Sequence, residues 1–284
     1  MRNLSNIILI LMFLSPMIMG ASSGCPNLFV ELSSKTTDDA LLYQARLYLD
    51  SRDYDLAVTA IESMTTTGKA VRETRTVLAS AYAGLCGLEL IDLAKSIADG
   101  VTAGTKLYPI LLTAFATSTR TSVDNCKLAE DQLLAISTTA SERTDDENVF
   151  LAFVEFAKLG AILGATGVDA DDDATIDGAF DPCTNDATNI EDLDVQHIGT
   201  ALTIALASLG ASGSSVASDV TTTFSTVCSS LDTALGTTGF CDQTSPSDFD
   251  ANEVKGLRAL IKSNEIGFNT CGGAVASSVP CLCL

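Results

Sequence analysis

The chain's clearest candidates for chemistry are the aspartates of one loop: Asp169, Asp171, Asp173 and Asp177. They stand at relative positions 1, 3, 5 and 9, so several carboxylate oxygens fall on one concave turn of backbone. A hard cation such as Ca²⁺ takes about six to eight oxygen ligands of this kind. The spacing predicts a calcium-binding loop. The alternative interpretation is a solvated acidic loop held in place by Cys183.

This spacing is similar to the calcium loops of the EF-hand and of acidic Asp-repeat modules. Two positions depart from the pattern. Ala174 stands where the EF-hand loop has glycine at position 6, and Phe180 stands at position 12, with Asp181 one place later. The resemblance implies calcium as a ligand of the four aspartates. We expect no other cofactor.

The first 24 residues have the pattern of a secretory signal. Arg2 supplies a weakly positive start, Ile7–Met19 is an apolar run, and small residues follow in GASSG. The run is shorter than the roughly 20 apolar residues that span a bilayer. We therefore predict a signal peptide over residues 1–24 and export of the remainder.

Cys25 follows directly after the three small residues 22–24. The stretch SSGC resembles the bacterial lipobox, in which the cysteine receives diacylglycerol and becomes the new N-terminus; Ser22 departs from the usual leucine. The resemblance implies a lipid-anchored protein with a tether over residues 25–37, and Pro26 favours the outer membrane of a Gram-negative cell. The alternative is cleavage by the general signal peptidase, which leaves Cys25 for a disulfide.

Cysteine content supports export. The chain has nine cysteines, and setting aside Cys25 leaves an even number in a compartment that is oxidising. Zinc is the competing use, but the chain has one histidine and no CxxC pair. We predict disulfides, with Cys86 as the residue that remains a buried thiol.

The charge balance is strongly acidic, with 36 acidic against 16 basic residues and a net charge of −20. Phosphate backbones and anionic lipid headgroups repel such a surface, so nucleic acid is excluded as a partner. Solubility is the simplest interpretation of this charge, and binding of a cation or of a basic partner is the more specific one.

The first predicted helices of the chain contain an apparent repeat. Ala45 and Tyr48 in LLYQARLYL recur 34 residues later as Ala79 and Tyr82 in TVLASAYAGL. This period resembles that of tetratricopeptide repeats, in which each helix pair buries its apolar face against its neighbours. The resemblance implies two helical hairpins, within residues 41–64 and 72–98.

Apolar residues recur at helical spacing through most of the remaining chain, and no strand pattern is visible. The most apolar segment, 142–163, predicts a central buried helix. Further helices are predicted over 110–118, 124–136, 190–209, 216–235 and 251–263. The expected fold is all-α: an irregular array of helical hairpins with loops held by disulfides, forming a single domain over 38–284 with a sub-boundary at 165–189.

No nucleophile elbow, P-loop, dinucleotide-binding or zinc-protease motif is present in the sequence, and His197 is predicted to be a packed or capping side chain and not a catalytic one. We therefore expect no enzyme activity. The chain resembles helical-repeat lipoproteins of bacterial envelopes, which implies a non-catalytic scaffold that binds an unidentified envelope protein. The alternative is a helical lipoprotein similar to the T component of tripartite solute transporters, for which a ligand-lined channel is expected.

Overall fold

The computed structural model describes residues 36–271, except 170–172, 174–175, 214–224, 227, 231, 234 and 238, together with residues 282–283. All regular structure in the described part is helical, and it contains no strand, which confirms the all-α prediction. Cys25 and the predicted signal lie outside the described residues, as does most of the helix predicted over 216–235.

The α-helices with described bounds are α1 (Asp38–Asp50), α2 (Tyr54–Glu62), α3 (Thr66–Lys69), α4 (Arg72–Cys86), α5 (Leu90–Thr102), α6 (Leu107–Phe115), α7 (Arg120–Leu134), α8 (Asp145–Gly164), α9 (Asp192–Ala211) and α10 (Ala251–Lys262). Residues 225–226, 228–230, 232–233 and 235 are helical as well. Short 3₁₀ turns lie at Ala140–Glu142, Phe240–Asp242 and Pro246–Asp248.

Helix α8 is the centre of the larger core, as the apolar segment predicts. Thr144 caps its start, accepting a hydrogen bond from Glu147 N while the Glu147 side chain accepts one from Thr144 N. This reciprocal cap satisfies backbone donors that a helix start leaves free. Helices α6, α7 and α9 pack around α8. A Cβ on Gly164 would lie 2.1 Å from Phe115 O, so glycine permits the close approach of α6.

A smaller apolar cluster joins the first three long helices. Leu41 and Ala45 of α1 and Ala57 and Ile61 of α2 pack against one face of α4, whose Val77 belongs to the same cluster. The opposite face of α4 contributes to the larger core. Helix α4 is therefore shared by both clusters and connects the first helical hairpin to the rest of the described chain.

The second predicted hairpin has a different geometry. Gly87 ends α4 in the left-handed conformation with φ of 95°, and α5 then departs at a bend of 62°. Helix α4 packs mainly against α2 and α7, and α5 packs against α6. The tetratricopeptide-like arrangement is therefore not confirmed. No single helix of the described part is long and apolar enough to cross a membrane, although α4 and α5 together meet that criterion as a bent pair.

Three disulfides are described: Cys86–Cys126, Cys183–Cys283 and Cys228–Cys241. Cys271 is also disulfide-bonded. The prediction of disulfides is confirmed, but the prediction that Cys86 stays a thiol is wrong. Cys86 is the last residue of α4, where its Cα lies 5.0 Å from that of Cys126 on α7, within the range that a disulfide bridges.

Candidate functional site

The acidic loop follows α8 and begins in the protein interior. Asp169 is 1% exposed, and its Oδ1 accepts a hydrogen bond of 2.9 Å from the backbone N of Asp173. The backbone N of Asp177 donates to Val168 O at 2.8 Å, so the loop turns back on itself. Asp171 lies outside the described residues. Among those described, no group of three or more His, Cys, Asp or Glu side chains is placed to hold a metal ion, so calcium binding stays a prediction.

If the loop binds calcium, millimolar Ca²⁺ raises the melting temperature, because a ligand that binds only the folded state stabilises it by about 2.7 kcal/mol at a hundredfold excess over Kd. The double variant Asp171→Ala and Asp173→Ala should abolish the rise, and Asp248→Ala, an exposed aspartate of another segment, should preserve it. Differential scanning calorimetry with Ca²⁺ and with a chelator measures both. An unshifted melting temperature in the unaltered protein would exclude the site.

The second half of this loop is fixed by Arg258 of α10, which is 3% exposed. Its guanidinium donates to Pro182 O at 2.5 Å, to Ile190 O at 3.0 Å and to Asp192 Oδ1 at 2.6 Å. The planar guanidinium carries five donors and suits such a set of fixed oxygens. Arg258 thus orders the segment between the aspartates and α9.

A buried ionic cluster lies between α7 and α8. Lys158 Nζ is 2.6 Å from Glu130 Oε2 and 2.6 Å from Glu155 Oε2, and the side chains of Lys158 and Glu155 have no exposed surface. The contact with Glu155 is close but poorly directed, since both Glu155 oxygens lack a well-aligned hydrogen bond in the described part of the chain. Two carboxyl groups therefore share one ammonium group in the protein interior.

This geometry shifts the pKa values of Glu155 and Lys158. Burial raises the pKa of Glu155 well above its ordinary value, the nearby Glu130 raises it further, and Lys158 only partly offsets them. Burial alone would lower the pKa of Lys158, but the Glu155 and Glu130 carboxyl groups outweigh it and raise the pKa. Burial therefore favours the neutral form of Glu155, while the two carboxyl groups favour the charged form of Lys158.

His197 of α9 is half-buried near the same cluster. Burial, together with the ammonium groups of Lys127 and Lys158, lowers its pKa to about 4. The imidazole is therefore neutral at pH 7, and its position fits the predicted packing role.

Sequence reasoning missed the ionic cluster. The sequence does contain a signal for it, because Glu155 and Lys158 stand three positions apart in the most apolar segment of the chain, where isolated charges are costly unless paired. Glu130 was not identifiable, because it comes from α7 and meets Lys158 only after folding.

A cleft of 440 Å³ opens at the surface between α4, α5 and α8. It is lined mostly by apolar surface, from Ser80, Leu90, Asp146, Val149 and Phe150. The channel expected for the transporter-component alternative stays a prediction.

The predicted repeat residues fall in different surroundings. Ala45 is buried in the smaller cluster and Ala79 in the larger core, whereas Tyr48 and Tyr82 are half-buried. The two alanines therefore share burial but not packing partners. Comparison with known proteins returns no match: no protein-family model, curated protein or solved structure is significantly similar to this chain.

Proposed function

We propose that the protein is an exported lipoprotein of the bacterial envelope, anchored in the outer membrane by a lipid on Cys25, and that its helical body is a non-catalytic scaffold for another envelope protein. The observation that carries the proposal is the set of disulfides. Such bonds persist in oxidising compartments and are rare where thiols are kept reduced. Together with the signal-like first 24 residues, they support export.

A binding role is supported by where the ionisable and apolar groups lie. The buried cluster of Glu130, Lys158 and Glu155 has almost no exposed surface, so a substrate has no access to it. Large apolar side chains are instead exposed on the first hairpin, at Tyr43 and Leu47 of α1, which are one helical turn apart. These exposed apolar side chains support a role in binding.

The anchor is tested by Cys25→Ser. We expect the unaltered protein to fractionate with membranes and to incorporate labelled palmitate, because several acyl chains together bury enough methylene groups to hold a protein at a bilayer. The Cys25→Ser variant should appear in the soluble fraction without label. The matched control is Ser22→Leu, which restores the usual lipobox residue and should stay membrane-bound. Unchanged fractionation of Cys25→Ser would refute the lipid anchor.

A further inference from the structure

The three described disulfides differ in how far solvent reaches them. The Cys86–Cys126 bond lies within the larger core, where both of its residues are buried. The second bond is buried at one end, at Cys228. Of these three bonds, Cys183–Cys283 alone has two partly exposed residues. Thiol–disulfide exchange requires access to a sulfur atom, so a thiol in solution reaches this bond more easily than the other two.

A cation lies against one sulfur of this bond. Lys262, the last residue of α10, places its Nζ 3.6 Å from Cys183 Sγ. When the bond breaks, the ammonium group stabilises the negative charge that forms on this sulfur, as cations do beside reactive cysteines. The carboxylate of Asp181 opposes this effect. Its oxygens, however, accept hydrogen bonds from Cys183 N at 3.0 Å and from Thr184 Oγ1 at 3.2 Å, whereas the ammonium group faces the sulfur itself. The geometry therefore favours Cys183 as the leaving sulfur.

The backbone around Cys183 is also held by contacts other than the disulfide. Arg258 donates to Pro182 O at 2.5 Å and to Thr184 O at 3.3 Å, the carbonyl groups on either side of Cys183. Arg258 is 3% exposed, so these hydrogen bonds are shielded from competing water. Reduction of the disulfide therefore leaves Cys183 beside Lys262, where the bond can form again.

We propose that Cys183–Cys283 is an exchangeable disulfide, at which a dithiol reductant donates two electrons to the chain. A thiolate of the reductant attacks Cys283 Sγ and forms a new S–S bond there, while the Cys183–Cys283 bond breaks and its electron pair goes to Cys183 Sγ beside Lys262. The second thiolate of the reductant then displaces Cys283, which oxidises the reductant to a disulfide. The two protons of the reductant reach the two cysteine sulfurs through the solvent.

The test uses the folded, oxidised protein without its signal and dithiothreitol as the reductant, at pH 7 and without denaturant. Free thiols are alkylated at successive times and located by peptide mapping. We expect alkylation of Cys183 and Cys283 at least about tenfold faster than that of Cys86, Cys126 and Cys228, because access limits exchange at the buried sulfurs. The circular dichroism spectrum should not change, and oxidised glutathione should restore the bond.

The role of the ammonium group is tested by substitution. Lys262→Met should slow the reduction of Cys183–Cys283 by about threefold or more, because the leaving thiolate loses its cation. Lys262→Arg keeps the charge and should retain most of the rate. The matched control is Lys255→Met, which removes the same charge about two helical turns earlier on α10 and should change the rate by less than about twofold.

Three outcomes would overturn the proposal. The other two described disulfides could be reduced as fast as Cys183–Cys283, Lys262→Met could react at the rate of the unaltered protein, or reduction of Cys183 could abolish the helical circular dichroism signal. The exchangeable bond goes beyond the proposed scaffold and does not depend on a lipid at Cys25. Fractionation of Cys25→Ser tests the anchor separately, so a lipidated protein whose Cys183–Cys283 bond resists reduction refutes the exchange site alone.

Discussion

Replacing Lys158 by methionine should lower the free energy of unfolding at pH 7 by about 3 to 5 kcal/mol, the range seen when one partner of a buried ion pair is removed. Methionine fills a similar length of the core but carries no charge. The loss arises because Glu130 and Glu155 then face each other in the interior with no cation between them. Urea denaturation followed by circular dichroism measures the change.

The loss should depend on pH in a defined direction. Without Lys158, the folded pKa of Glu155 lies still further above its unfolded value, since burial and repulsion by Glu130 disfavour the charged form and no cation offsets them. An acid with a raised folded pKa stabilises the fold below its unfolded pKa, near 4.5, and this contribution disappears as the pH rises through the folded pKa. Lys158→Met should therefore be closest to the unaltered protein at pH 5 and furthest from it at pH 8.

Glu155→Gln is the matched control. If Glu155 is protonated in the folded protein, as its burial and raised pKa imply, the neutral amide replaces a neutral acid and the stability changes by less than about 1 kcal/mol. Glu130→Gln should lower the free energy of unfolding more than Glu155→Gln does, since it removes a carboxylate that forms an ion pair with Lys158. A Glu155→Gln variant as unstable as Lys158→Met would show instead that Glu155 carries charge.

Helix positions were predictable from the sequence because each helix has a local signal. The segment predicted over 251–263 is α10 (Ala251–Lys262), and that over 142–163 is α8 (Asp145–Gly164). The predicted start of a helix differs from the observed start where another residue caps the helix. Thr144 caps α8, which begins at Asp145, and Ala140–Glu142 form a 3₁₀ turn instead.

Contacts between distant segments were not predictable. The recurrence of Ala45 and Tyr48 at Ala79 and Tyr82 describes two helix surfaces, but it does not determine which helix covers each surface. Helix α4 lies between the first hairpin and α7, so a long-range partner takes the place expected for α5. The same contact brings Cys126 to Cys86, which sequence spacing of 40 residues could not indicate.

Removing the Cys86–Cys126 disulfide should have the second-largest effect on the free energy of unfolding. The paired substitution Cys86→Ala and Cys126→Ala should lower the free energy of unfolding by about 2 to 5 kcal/mol, because the bond restricts the unfolded chain over a sequence separation of 40 residues. Both sulfurs also lie in the larger core, with residue exposures of 1% and 0%, so alanine leaves unfilled space there. Thermal and urea unfolding of the oxidised protein measure the loss.

The matched control is Cys228→Ala with Cys241→Ala, whose bond spans a separation of 13 residues. Loop-closure entropy grows with the logarithm of loop length. The control substitutions should therefore lower the free energy of unfolding by about 1 kcal/mol less than removal of the Cys86–Cys126 bond does. Peptide mapping without reduction should recover Cys86 linked to Cys126. A free Cys86 in that map would refute the link between α4 and α7. Equal stability before and after its removal would show that contacts between the two helices, not the bond, hold α4 in the core.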